Sequence, residues 1–523
     1  MYSLLIKNAM VYDGTGKPGS RLDVAISGDK IVNIAPNIST DAEGVVDAEG
    51  KILTPGFIDI QNHSDGYWQL FDNPGFSSLI TQGFTTILIG NCGASLAPLL
   101  SKNALLSIQK WHNLDGVNIN WQSFAEYIDE LSRRRFACNV GSLVGYSTLR
   151  RGLIGDEVRG LEKSEMEALK NVLKESMKAG AFGLSSGLSY AHEIIISELE
   201  LFELSKLVAK EQGLFSVHLR NEDGEVEEAL EEVLDIAANS EVNLKISHLK
   251  IRGEGSWGKY DHIVSLLENA YHKGTNVHFD AYPYDTIWQV LYSYLPKWAV
   301  EGGRTTMLKN LLDPVQRSKI LVHLNNSPVH FPSLMVASTA SRLNLVGKTI
   351  GQIAKSLEIS SEQAVIHLVQ NGGSEVLVFE KNLKAQQVWK FIEHPLCMVA
   401  TDGGGFSKEN RGKLVHPRCF GTAPKFLKHC LTAKNIPLAE AVQKLTSTPA
   451  KKAGFIKRGE IKIGNFADLV IFDQSAITDK STYENPYQYS TGIEHVFVNG
   501  RAVVGEGKIT NQLPGYVLKK GRS

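Results

Sequence analysis

Five side chains of this 523-residue chain have the chemistry of a metal site: Cys92, His218, His248, Asp402 and His63. Thiolate, imidazole and carboxylate are zinc ligands, and a catalytic zinc usually has three protein ligands and one open position. Each of the five follows a short apolar run. Cys92 follows Thr85-Thr86-Ile87-Leu88-Ile89-Gly90-Asn91, His218 closes Leu214-Phe215-Ser216-Val217, and His248 closes Val242-Asn243-Leu244-Lys245-Ile246-Ser247. Asp402 follows Met398-Val399-Ala400-Thr401 and precedes three glycines, while His63 comes shortly after Gly56-Phe57-Ile58-Asp59-Ile60. Taken singly, a buried inert cysteine, core histidines and a turn-shaping aspartate account for them. Two successive strands ending in histidine, together with a strand ending near cysteine, instead make a credible Cys/His/His site, because parallel barrels keep their active sites at strand C-termini.

The elements that must position these residues read as repeated strand–helix units. Leu161, Met166, Leu169, Leu173 and Met177 mark one helical face that Gly180 stops, and a strand is expected over Ala181–Leu184. A helix over Glu198–Glu211, the strand to His218, a helix over Val226–Ala238 and the strand to His248 continue the alternation. Before and after it, the pattern is of short β-strands with turns. The first fifty residues give Leu4–Tyr12, Leu22–Ser27 and Lys30–Ile34, and the C-terminal stretch gives Ala467–Asp473 and a hairpin turning at Asn499-Gly500. The fold expected is α/β: a (β/α)8 TIM-like barrel over 55–454, with a small β-sandwich domain made from 1–54 and 455–523. An irregular, lid-like insertion is expected at about 285–345.

Composition narrows the partners. Lys and Arg number 55 against 56 Asp and Glu, so there is no global charge to attract nucleic acid or an anionic membrane, and a small molecule is the expected partner. Five cysteines without paired spacing speak for a reducing compartment. The N-terminus lacks a signal-like pattern and no run approaches the ~20 apolar residues of a membrane span, so a cytoplasmic location is expected.

Longer motifs carry a resemblance. Pro55-Gly56-Phe57-Ile58-Asp59 with His63, Gly90-Asn91-Cys92-Gly93, Ser185-Ser186-Gly187-Leu188-Ser189-Tyr190, His218-Leu219-Arg220-Asn221-Glu222 and Ser247-His248-Leu249-Lys250 are among them. Asp280-Ala281-Tyr282-Pro283-Tyr284, His416-Pro417-Arg418 and Gly464-Asn465-Phe466-Ala467-Asp468 complete the set. The chain resembles the N-acyl-D-amino acid deacylases, or D-aminoacylases, of the amidohydrolase superfamily over nearly its whole length. The resemblance implies zinc-dependent hydrolysis of an N-acyl-D-amino acid to a carboxylate and a D-amino acid by metal-activated water. One tightly held zinc would rest on Cys92, His218 and His248, and a weaker second site on His63 and Asp402. Asp402 would be the general base, Tyr190 a donor to the oxyanion, and Lys250 and Arg418, with Tyr190, substrate contacts; Arg220 and Glu222 would orient ligands.

Three departures stand out. Gln61 replaces the first histidine of an expected His-x-His pair, bulky Ile287-Trp288 stands where small polar residues are usual, and the stretch from Asp402 to Arg418 is long. A cyclic-amide hydrolase of the hydantoinase or dihydroorotase type is the alternative enzyme, but Gly183-Leu184-Ser185-Ser186 lacks the bridging lysine such enzymes carry. A non-catalytic degenerate barrel is the other alternative, argued from Gln61 alone.

Overall fold

The computed structural model describes residues 1–101, 104–105, 119–155, 157–190, 192–301, 303–339, 343–409 and 412–522. Eight parallel strands form the barrel: β1 (Phe57–Asp59), β2 (Phe84–Ile89), β3 (Asn139–Ser142, continuing through Val144–Gly145), β4 (Gly183–Gly187), β5 (Leu214–His218), β6 (Asn243–Ile246), β7 (Val277–Ala281) and β8 (Cys397–Val399). The pairing order is β1-β2-β3-β4-β5-β6-β7-β8, and a parallel bridge between Asn62 and Gly403 closes β8 onto β1. Phe84–Ile89 and Leu214–His218 are buried at every position, as strands enclosed on both faces must be.

The helices between the strands follow their sequence signals. Lys163–Ala179 buries Leu169, Leu173 and Met177 and ends at Gly180, whose φ of 115° suits a residue without Cβ. Glu198–Lys210 starts behind Ser197, whose side chain accepts the Glu200 N–H. The strand expected over Ala181–Leu184 lies slightly later, at Gly183–Gly187.

Both chain ends build one nine-stranded sheet. Tyr2–Val11, Ser20–Ser27, Lys30–Ala35, Ala42–Asp47 and Ile52–Pro55 join Leu469–Phe472, Ile493–Val498, Arg501–Gly505 and Lys508–Ile509. Tyr2–Val11 is the branch point, pairing Ala42–Asp47 along its first half and Ile52–Pro55 along its second.

The insertion differs from its sequence outline. It lies between β7 and β8 and contains an antiparallel sheet in which Thr286–Val290 and Met335–Ser338 both pair Leu377–Lys381, so it runs well past the expected limit near 345. Gly302 and residues 340–342 of this segment lie outside the described residues. Its later helices, Ile350–Leu357 and Ser361–Gly372, both start with capping boxes and are amphipathic. They pack into a core of the insertion's own, with Leu291, Met307, Ile320, Ile353 and Val365. No helix among the described residues is long and apolar enough to cross a membrane.

Candidate metal centre and active site

The C-terminal ends of β2, β5 and β6 bring Cys92, His218 and His248 into one buried cluster. Cys92 Sγ lies 3.4 Å from His248 Nε2, which lies 3.0 Å from His218 Nδ1. A tetrahedral zinc with ordinary bond lengths would hold such sulfur and nitrogen donors roughly 3.3–3.6 Å apart. The cluster thus has the size and donor set of a zinc site. A second group shares the thiol: His63 Nε2 is 3.8 Å from Cys92 Sγ and 3.0 Å from Asp402 Oδ1.

The backbone bends to present these side chains. Cys92, His248 and Asp402 have φ of 54°, 38° and 48°, the left-handed region that costs a residue with Cβ on the order of 1 kcal/mol or more. Just after the strand, Gly93 cannot carry a side chain, since a Cβ there would meet Glu193 Oε1 at 1.9 Å and Gly187 N at 2.9 Å.

Charge supports the same reading. Burial would raise the Asp402 carboxyl, but Arg418, His248 and the hydrogen bond from His63 outweigh it and hold Asp402 well below the usual carboxylate range. Burial likewise opposes ionisation of Cys92, and the surrounding imidazoles overcome it, so the thiol is held well below its ordinary value. His63 is pushed up to about 10 and His248 to about 9, against burial, by these two anions. Two buried anions balanced by protons on imidazoles form a site suited to a cation, because ligation replaces those protons.

Neighbouring groups hold these donor side chains in place. Ser189 Oγ is 2.9 Å from His218 Nε2. Glu222 Oε1 accepts from Lys250 Nζ at 2.6 Å and lies 3.3 Å from His248 Nδ1, while Lys250 Nζ also approaches that Nδ1 at 2.8 Å. Arg418 Nη2 pairs with Asp402 Oδ2 at 2.8 Å, and its guanidinium stacks over Tyr282. Arg220 does not reach the ligands. It pairs with Glu232 and donates to the carbonyls of Ile194 and Ile196.

Cys92, His218, His248, His63, Asp402, Tyr190, Lys250 and Arg418 all line one cavity of about 200 Å³. From the insertion, Ile287, Trp288, Val290, Tyr292 and Leu295 supply an apolar wall. Sequence reasoning missed Lys245, which is wholly buried beneath the cluster and paired with Asp280 at 2.8 Å. Its signal was present: a lysine inside the apolar run Val242–Ile246 has to find an anion or leave the core.

Comparison with known proteins agrees with this geometry. The amidohydrolase family model matches residues 44–212 and 415–504. A D-aminoacylase of Alcaligenes xylosoxydans xylosoxydans is 31% identical over 99% of this chain and 98% of its own. An N-acyl-D-glutamate deacylase of Bordetella bronchiseptica, solved with zinc and a phosphonate mimic of the tetrahedral intermediate, has a TM-score of 0.83 and 27% identity over 99% of both chains. A D-aminoacylase with a binuclear metal centre, described as activated by one metal and attenuated by a second, has a TM-score of 0.84 and 28% identity over 99% of this chain and 100% of its own. Barrel, terminal β domain and strand-end donors together define a metal-dependent amidohydrolase acting on linear amides. Within that class, the chain belongs to the D-aminoacylase family.

Proposed function

We propose that this protein hydrolyses N-acyl-D-amino acids, using one zinc ion held by Cys92, His218 and His248. The observation that carries the reading is the convergence of those three donors beside an ionised Asp402 in a cleft large enough for a small amide. Zinc in such a site acidifies water and polarises a carbonyl. Asp402 keeps a lone pair on each oxygen beyond its contacts with His63 and Arg418, so it can accept the proton of the attacking water and pass it to the departing amine. An amide requires that second transfer, because an amide anion leaves poorly. Tyr190, which lines the same cavity with its ring centroid 5.1 Å from that of His218, would donate to the oxygen that becomes negative.

Lys250 and Arg418 are the cations for the substrate carboxylate. Were His248 to ligate through Nε2, Glu222 would accept its Nδ1 proton and hold the ring in place, as it already holds Lys250 beside the cleft. Arg418 Nε has no hydrogen-bond partner among the described residues and offers a further donor. The strand β4 carries no lysine, which weighs against the cyclic-amide alternative, and the five unpaired cysteines fit a reducing, cytoplasmic setting.

A panel of N-acetylated D- and L-amino acids, assayed with zinc supplied, tests the proposal. Hydrolysis confined to D-substrates, lost in Cys92→Ala together with the bound metal, is the expected result. Preference for L-substrates or for a dihydropyrimidine ring would overturn it.

A further inference from the structure

Gln61 is held by a chain of buried polar groups. Lys245 Nζ donates to Gln61 Oε1 and pairs with Asp280 Oδ2, and Ser247 Oγ donates to the same Gln61 oxygen at 3.1 Å. Asp280 cannot turn away freely, because its other oxygen accepts the backbone N–H of His248 at 2.8 Å. Gln61, Lys245 and Asp280 are all fully buried, so none of these contacts is exchanged for water.

With its oxygen committed to two donors, the Gln61 amide turns its NH2 group to Cys92 Sγ at 3.1 Å. Reversing the amide would set that NH2 against an ammonium, which can only donate, and lose the Lys245 hydrogen bond, so Lys245 dictates the orientation. The consequence for metal binding is direct. An NH2 group presents hydrogens and no usable lone pair, so Gln61 offers nothing to a cation beside His63, Cys92 and Asp402. The Asp402 carboxylate in that group is already paired with Arg418.

We propose that the Lys245–Gln61 pair is a positioning device that restricts the centre to a single cation: Lys245 orients Gln61, and Gln61 donates to the Cys92 sulfur where a second ion would otherwise bind. This rests on the reading that Cys92, His218 and His248 hold one ion, and it assigns Gln61 and Lys245 a role that reading leaves open.

Metal counting after equilibration with excess zinc, followed by removal of free metal, tests it on the unmodified protein. One ion per chain is expected. Two would overturn this inference while leaving the three-ligand site intact, and none would overturn the three-ligand reading and this inference with it. Gln61→His, which restores a ligand but keeps the ammonium, should still hold one ion, whereas Gln61→His with Lys245→Met and Asp280→Asn should take up a second. Two ions in Gln61→His alone, or one in the folded triple variant, would remove Lys245 from the explanation. A readout independent of the triple variant's folding is the cobalt-substituted protein. Gln61→Leu should shift its thiolate-to-cobalt charge-transfer band to lower energy, because the sulfur loses a hydrogen bond; an unmoved band would show that Gln61 does not act on Cys92.

Discussion

In the proposed reaction Asp402 would transfer the proton and Lys250 would bind the substrate carboxylate, so their substitutions should separate accordingly. Asp402→Asn keeps the shape of the side chain but removes its basicity, so kcat should fall by about 10²–10⁴-fold at matched zinc content. Full activity in that variant, measured at saturating substrate, would place the base elsewhere. Lys250→Met removes a charged donor worth about 1.5–3 kcal/mol when it meets a carboxylate, so KM should rise about 10–100-fold. Because Lys250 also touches Glu222 and His248, zinc content has to be checked in the same preparation. A change in kcat alone, with KM unmoved, would mean that Lys250 serves His248 and not the substrate.

At the scale of elements, the inserted sheet between β7 and β8 should decide which substrates fit. Thr286–Val290 contributes Ile287, Trp288 and Val290 to the cleft, and Trp288 stacks on Tyr67 with ring centroids 5.0 Å apart. Of the five cations lining the cleft, Arg220 pairs with Glu232, Lys250 with Glu222, Arg252 with Glu380 and Arg418 with Asp402, while Lys297 is solvent-exposed. With Lys250 and Arg418 assigned to the α-carboxylate and Arg220 and Arg252 held by Glu232 and Glu380, the apolar wall favours an apolar substrate side chain over an acidic one. N-acetyl-D-leucine or N-acetyl-D-phenylalanine should therefore exceed N-acetyl-D-glutamate in kcat/KM by at least about tenfold, and Trp288→Ala should cost the aromatic substrate roughly tenfold through lost burial. Equal or better turnover of the D-glutamate substrate would refute this account. The strand-end residues Cys92, His218, His248 and Asp402 were legible in sequence because an apolar run and the residue that follows it are local. The insertion's extent was not, since the pairing of Thr286–Val290 with Leu377–Lys381 is set by contacts far apart in the chain. Lys245 was passed over for a related reason: its partners Asp280 and Gln61 come from two other barrel regions.

On the scale of the whole molecule, the terminal β domain is tied to the barrel by a buried polar cluster centred on Asp468. Asp468 accepts from Asn139 Nδ2 on β3 at 3.1 Å and from Asn499 N in the C-terminal hairpin at 2.8 Å, and Arg458 Nη1 pairs with it. Arg458 Nη2 donates to Asn499 Oδ1 at 3.0 Å, and Asn499 Nδ2 returns to Asn139 Oδ1 at 2.8 Å, closing the ring of contacts. Beyond it the C-terminal segment runs along β3, with Val140 N donating to Tyr516 O and Leu518 N to Val140 O. This gives Asp468, the last residue of the Gly464–Asp468 motif, a structural role remote from the metal donors. Arg458→Met should leave the carboxylate buried with two neutral donors and no directly paired cation, which destabilises by about 3 kcal/mol. Denaturant unfolding should register that loss, while zinc content and kcat of the folded variant stay at the unmodified level, because no residue of the cluster lines the cleft. A fall in kcat or in bound zinc at unchanged stability would instead mean that the interface between the two domains shapes the active site.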